Sequence, residues 1–223
     1  NVTVNSVLTI FETLKNIKKK IKYFQPISSN IFGNTGNKKF NEKSEINPQS
    51  IYALGKSAVF NLCKMYRDIY NMPIYGAIFF NHESPRRSTE YVTQKIINEA
   101  CEIYHKKQTK IHLGDINAKI DWGYAKDYVF YSWKIMQSKK PDFFVIATGK
   151  TTSVKEFLEI VFKKLKLNYK NHLIIDKKLI RPTKTSTLTG DFKKAKKIIN
   201  YKVNTDIKKL INIMLDFQLN KYK

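Results

Sequence analysis

Alternation of strand-like and helix-like segments along the 223 residues of this chain predicts an α/β fold with a parallel sheet and crossover helices. Three observations carry that expectation. An apolar run at 21–27 leads through a long helical pattern at 52–70 to a second apolar run at 74–80, which is a strand–helix–strand unit. A third apolar run, Phe143 to Ala147, follows another helical stretch. Small hydroxyls and glycine at Ser28-Ser29-Asn30-Ile31-Phe32-Gly33 mark the end of the first strand and a turn.

The elements follow in order. Val2 to Lys18 reads as a helix, because Val4, Val7, Leu8, Ile10, Phe11 and Leu14 recur at helical spacing. The strand ending at Ser28 comes next, then a loop over residues 33–50, rich in Asn, Gly and Ser. Tyr52 to Tyr70 is a long helix expected to turn Ala53, Leu54, Ala58, Val59, Leu62 and Met65 inward, and Ile74 to Phe80 a buried strand. Beyond it the rhythm changes. Glu90 to His105 reads as a helix, Lys110 to Leu113 as a short strand, and Trp122 to Gln137 as a helix capped by Asp121 or a near neighbour. Ser153 with Glu156 three residues on forms a capping-box signature for a helix running to Leu165. A strand near Leu173 to Ile175, an irregular Arg181-Pro182 segment and amphipathic helices at Phe192 to Ile199 and Thr205 to Leu219 complete the chain; no internal repeat appears.

The net charge of +23 raises the question of a nucleic-acid or anionic-membrane partner. Its distribution argues against both. Of the 41 basic residues only Arg67, Arg86, Arg87 and Arg181 are arginine, and the lysines run through nearly every segment beside abundant Asn and Ile. The clusters at Lys18-Lys19-Lys20, Lys163-Lys164 and Lys193 to Lys197 fall at helix ends or on polar faces, where solvated lysine is ordinary. No zinc spacing, helix-turn-helix or aromatic RNA-binding motif accompanies the charge, so no nucleic-acid partner is expected. The sequence has no run of 18 apolar residues, no signal peptide can be read from its first residues, and Cys63 and Cys101 lie in apolar-periodic helices without metal-ligand spacing. Those features predict a cytoplasmic protein with reduced buried thiols, no membrane partner and no metal.

Chemistry concentrates in two places. Tyr52 and Lys56 stand one turn apart on a helix face, where an ammonium can stabilise a phenolate and make the tyrosine an acid/base. A chain this rich in lysine supplies Tyr-x-x-x-Lys by chance, and Tyr91/Lys95 repeats it. Context favours the first pair, because a strand-end serine, Ser28, can reach a helix-borne tyrosine, and because the run Asn81-His82-Glu83-Ser84-Pro85-Arg86-Arg87 follows the next strand. Taken singly, Ser28 reads as a strand-end hydroxyl satisfying backbone, Tyr52 as a half-buried helix residue and His82 as a polar loop residue. His105, His112 and His172 match no motif.

At these residues the chain resembles the extended short-chain dehydrogenase/reductases, which set Ser or Thr, Tyr and Lys around a nicotinamide; those roles fall on Ser28, Tyr52 and Lys56. Within them it is most similar to the GDP-mannose 4,6-dehydratase family. The matching segments include Tyr52-Ala53-x-x-Lys56, Asn81 to Arg87, Val92-Thr93, Asp121-Trp122-Gly123 to Val129, Phe144 to Gly149, Arg181-Pro182 and Leu188-x-Gly190-Asp191, so the resemblance spans nearly the whole chain. It implies a partial Rossmann-type parallel sheet with helices, formed by 1–82 and rejoined by 121–147, and a smaller C-terminal α+β substrate-binding domain formed by 83–120 and 148–223. NADP is the implied cofactor, held by Lys56, His82 and Arg87, with the Arg87 guanidinium binding the phosphate that distinguishes NADP from NAD. Asn81, Val92, Lys95 and Arg181 would contact a GDP-sugar, and the full-length family forms homo-oligomers.

The resemblance also implies the reaction. Tyr52 takes the proton of the sugar 4-hydroxyl as carbon 4 is oxidised, a carboxylate removes the acidified carbon-5 proton, and water leaves from carbon 6, with NADP regenerated in place. Three positions depart from the pattern. Asn30 stands where the family has the Glu that serves as that carboxylate, Ile120 replaces an Arg before Asp121, and Lys184 replaces an acidic residue. An amide is not a base at neutral pH. The eight glycines form no G-x-G-x-x-G fingerprint, which implies that roughly the first hundred residues of the family, with the pyrophosphate loop, are absent. Three readings therefore stand: a GDP-mannose 4,6-dehydratase lacking that half, a nucleotide-sugar epimerase or reductase of the same superfamily, and a non-catalytic degenerate chain.

Overall fold

The computed structural model describes residues 2–17, 19–33, 39–180 and 187–222. Its centre is the expected strand–helix–strand unit. Strand β1 (Tyr23–Ser28) pairs in parallel with β3 (Ile74–Phe79), from Tyr23 opposite Ile74 to Ser28 opposite Phe79, and helix α2 (Ile51–Tyr70) crosses between them. Helix α4 (Ala125–Met136) returns the chain to β8 (Phe143–Ile146), which pairs in parallel with the other side of β3, giving the order β1-β3-β8.

Alternation along β3 divides the core into two layers. Ile74 and Ile78 face α1 (Val2–Asn16) and α2, meeting Phe11, Val59, Phe60 and Cys63. Tyr75 and Ala77 face the opposite side, against Tyr128, Tyr131 and Ile135 of α4 and Ala195 and Ile199 of α6 (Lys193–Ile199). Between them Gly76 lies flush under the Phe143 ring and beside the Gln25 carbonyl, so a β-carbon there would collide with both.

A third apolar cluster lies apart from the sheet. It joins α3 (Val92–Tyr104), α5 (Val154–Lys164), α7 (Ile207–Leu219), β5 (Ile111–Leu113) and Trp122. Strand β10 (Leu173–Ile175) pairs in parallel with β5, while β6 (Lys119–Ile120) runs antiparallel to β9 (Thr152–Ser153). The expected capping box is present: Ser153 accepts from the Glu156 N–H, and Glu156 accepts from the Ser153 N–H.

The structure corrects four expectations. The 122–137 helix begins only at Ala125, because Trp122–Tyr124 form β7, paired in parallel with β4 (Asn81–Glu83). Asp121 caps no helix, since its carboxylate is taken by amides of two other segments. Within the 33–50 loop, Lys39–Phe40 form β2, paired with β11 (Thr189–Gly190). On α2, Leu54 and Met65 face solvent at 60% and 42% exposure. The inward stripe instead includes small Gly55 and polar Ser57, whose hydroxyl donates to the Ala53 carbonyl at 2.8 Å, so hydrophobicity alone selects the wrong side of the helix.

On its far side β8 has no strand neighbour among the described residues. There the Val145 N–H donates to Glu42 Oε1 at 2.7 Å. Cys63 and Cys101 are both buried and free. Among the described residues no helix is long and apolar enough to cross a membrane, and no cluster of His, Cys, Asp and Glu has metal-binding geometry.

Candidate active site

In open α/β sheets ligands collect beyond the carboxyl ends of the strands. Here β1 ends at Ser28 and β3 at Phe79, side by side in register. The Ser28 hydroxyl accepts the Asn30 N–H at 3.3 Å, capping a 3-10 turn at Ser29–Phe32, and its own proton remains free to donate. Asn30 sits on that turn, exposed to solvent.

Helix α2 brings in the second group. Ser50 accepts the Ala53 N–H at 3.1 Å and so fixes the first turn, which carries Tyr52 at 56% exposure. One turn on, the Lys56 ammonium donates to the Pro26 carbonyl of β1 at 3.2 Å and lies 5.9 Å from the Tyr52 ring centroid. Burial lowers the pKa of Lys56 from its ordinary value. Among the described residues no hydrogen bond joins Ser28 to Tyr52; Lys56 is the link between the strand end and the tyrosine.

The third group follows β3. His82 packs at 5.4 Å on Phe79 and at 5.0 Å on Tyr128, with Nδ1 3.0 Å from the Phe80 carbonyl. Burial, and then the nearby Arg87 charge, lower its pKa. Glu83 is only 2% exposed; its Oε2 accepts from Thr93 Oγ1 at 2.8 Å and lies 3.2 Å from Arg87 Nε. Burial raises the Glu83 pKa, with Arg87 and Thr93 opposing. The Arg87 guanidinium lies over the Tyr91 ring, 3.3 Å from its centroid. Asn81 is exposed, Val92 packs against the third core cluster, and Lys95 pairs with Glu99 at 3.8 Å. In the second Tyr-x-x-x-Lys pair, then, Tyr91 is covered by Arg87 and Lys95 is engaged by Glu99. Arg181 and Lys184 lie outside the described residues, and Ile120 packs at the edge of the third cluster.

The sequence marks Asp121 as a possible helix cap within a family-matching segment, without indicating its partners. Its buried carboxylate accepts the Thr148 N–H and hydroxyl, the Gly149 N–H at 3.0 Å and the Gly190 N–H at 3.1 Å. It thereby ties the end of β8 to β11, against a desolvation that raises its pKa. Neither Asp121 nor Glu83 announces its burial in local sequence; only the adjacent apolar residues and the glycines at 123, 149 and 190 mark these segments as close-packed.

A family model described as GDP-mannose 4,6 dehydratase matches residues 1–214. The chain belongs to the GDP-mannose 4,6-dehydratase family. It is 41% identical over 205 residues to "GDP-mannose 4,6 dehydratase 1" of Arabidopsis thaliana, an alignment covering 92% of this chain and 56% of that protein. It is 36% identical over 216 residues to the Dictyostelium discoideum GDP-mannose 4,6 dehydratase, covering 89% and 61%. The chain thus spans little more than half the length of these relatives. Among solved structures it resembles RMD from Pseudomonas aeruginosa complexed with NADPH, with a TM-score of 0.88 and 16% identity over 98% of this chain and 73% of that one. It also resembles dTDP-glucose 4,6-dehydratase from Bacillus anthracis in complex with NAD, with a TM-score of 0.86, 16% identity and coverage of 96% and 67%. At such identities these two establish the fold, a Rossmann-type sheet shared by dehydratases and other nucleotide-sugar enzymes.

Proposed function

We propose that this GDP-mannose 4,6-dehydratase family member contributes the redox residues and sugar-binding segments of an NADP-dependent conversion of GDP-mannose to its 4-keto-6-deoxy derivative. The observation that carries the reading is Lys56, fixed to β1 two residues before Ser28 and set beside the accessible Tyr52 ring. In this proposal Tyr52 as phenolate takes the proton of the sugar 4-hydroxyl, Lys56 favours the phenolate and Ser28 donates to the same oxygen. NADP, when bound, supplies hydride-accepting and hydride-donating chemistry. The residues present fit parts of it: the Ser28 hydroxyl, the Lys56 ammonium and the His82 ring, at or just after the carboxyl ends of β1 and β3, suit the nicotinamide end, and the Arg87 guanidinium suits the extra phosphate on the adenosine ribose. The pyrophosphate end has no glycine-rich turn within these 223 residues. A GDP-sugar partner held by Asn81, Val92, Lys95 and Arg181, homo-oligomeric assembly and a cytoplasmic setting belong to the same proposal, the last supported by the two free buried thiols.

Asn30 favours a second reading. Its amide cannot take the carbon-5 proton, so the Ser28–Tyr52–Lys56 chemistry alone would interconvert hydroxyl and ketone, as an epimerase or reductase does. The deciding experiment supplies GDP-mannose and NADP to a protein carrying this chain together with a complete dinucleotide-binding half. Formation of the 4-keto-6-deoxy sugar supports the dehydratase. A product altered at carbon 4 with the carbon-6 hydroxyl retained supports the second reading, and no turnover rejects both.

A further inference from the structure

We propose that Glu83 and Tyr91 are positioning residues that hold the Arg87 guanidinium ready for a phosphate of the cofactor, an inference that rests on the cofactor reading of Arg87 above. An arginine on a polar loop is ordinarily free to swing, and its freedom is lost when an anion binds. Arg87 is restrained beforehand on three sides. Its N–H donates to the Ser84 carbonyl at 3.0 Å, closing a turn that starts beside Glu83. Its Nε edge faces the Glu83 carboxylate at 3.2 Å, and the plane of the guanidinium rests on Tyr91. What remains open is the other edge. Among the described residues neither Nη is hydrogen-bonded and neither is a buried unpartnered atom, although Nε is. The two Nη groups are the pair that can grip a phosphate in a fork.

Glu83 itself argues for a role beyond packing. A carboxylate held at 2% exposure is costly, and an apolar residue of similar volume would fill such a place more cheaply. Its second tie, to Thr93 in the first turn of α3, holds the carboxylate in place beside the Arg87 charge, with Nε at 3.2 Å but without a hydrogen bond. Tyr91 stands just before that helix, so the platform and the counter-ion are both anchored to one helix start.

Equilibrium dialysis of the 223-residue chain with NADPH, up to millimolar concentration, tests the assignment across four variants with thermal unfolding run alongside. Arg87→Ala should weaken binding on the order of tenfold or more, since a charge-assisted contact is lost. Tyr91→Leu and Glu83→Gln should each weaken it about three- to tenfold without touching the ligand. Tyr91→Phe, which keeps the aromatic platform, should bind as the native chain does. No binding by the native chain, or native affinity in Arg87→Ala, overturns the cofactor reading and this inference with it. Loss in Arg87→Ala with native affinity in Tyr91→Leu overturns the positioning alone, and so does Tyr91→Phe binding as poorly as Tyr91→Leu. Should Glu83→Gln fail to fold, the Leu and Phe pair at position 91 still decides.

Discussion

At position 30 an amide stands where the family pattern has a carboxylate, and the two support different chemistries. If Ser28, Tyr52 and Lys56 work as proposed, a protein combining this chain with a complete dinucleotide-binding half should oxidise carbon 4 but eliminate water slowly. Asn30→Glu should then accelerate dehydration, on the order of 10²–10⁴-fold for a well-placed base; solvent deuterium at carbon 5, measured with product formation, gives the answer. In the same protein Tyr52→Phe should abolish oxidation at carbon 4, and retained cofactor reduction would make Tyr52 an ordinary helix residue. His82 yields a prediction that needs no substrate. Its folded pKa lies below the unfolded value of about 6.5, so the unfolded chain takes up a proton first as pH falls. Stability present above that pH should decline as the solution is acidified through it. Thermal melts at pH 8 and pH 5 should show a larger drop for the native chain than for His82→Asn. Tyr52 and Lys56 could be proposed from sequence because a one-turn spacing is a local rule, while choosing them over Tyr91 and Lys95, and adding Ser28, took the surrounding segments. Glu83 and Asp121 could not be assigned partners, because those partners lie across turns and, for Asp121, up to 69 residues away.

Helices with long periodic faces could be read within two or three residues of their ends, and the capping box at Ser153 was legible because both partners fall within one turn. The two-residue strands β2, β6, β9 and β11 carry too few side chains to show a period. β7 was hidden for another reason: Trp122 and Gly123 continue the helical pattern of α4 in sequence, and only the presence of β4 beside them makes extended backbone preferable. The α2 start was placed one residue late, without its cap. Ser50→Ala should cost about 1 kcal/mol of stability, read as a lower unfolding midpoint. Because that turn carries Tyr52, the loss should loosen the chemistry before it unfolds the sheet.

Over the whole molecule, the order of strand and helix sufficed for the β1-α2-β3 unit and the later return to β8, since right-handed crossovers leave few alternatives. Without a glycine-rich turn at a helix start, the chain should bind NADP more weakly than micromolar, and calorimetry returning micromolar affinity would refute this. One small contact has a consequence for how molecules of this protein meet each other. An unpaired strand margin is a template on which a second chain can add, and the Glu42 carboxylate occupies the Val145 donor that such an intruder would need. Glu42→Ala should leave the fold intact yet promote self-association, visible as rising light scattering on storage at concentrations where the native chain stays clear. That outcome would make Glu42 a gatekeeper of colloidal behaviour at the β8 margin, distant in role from any sugar.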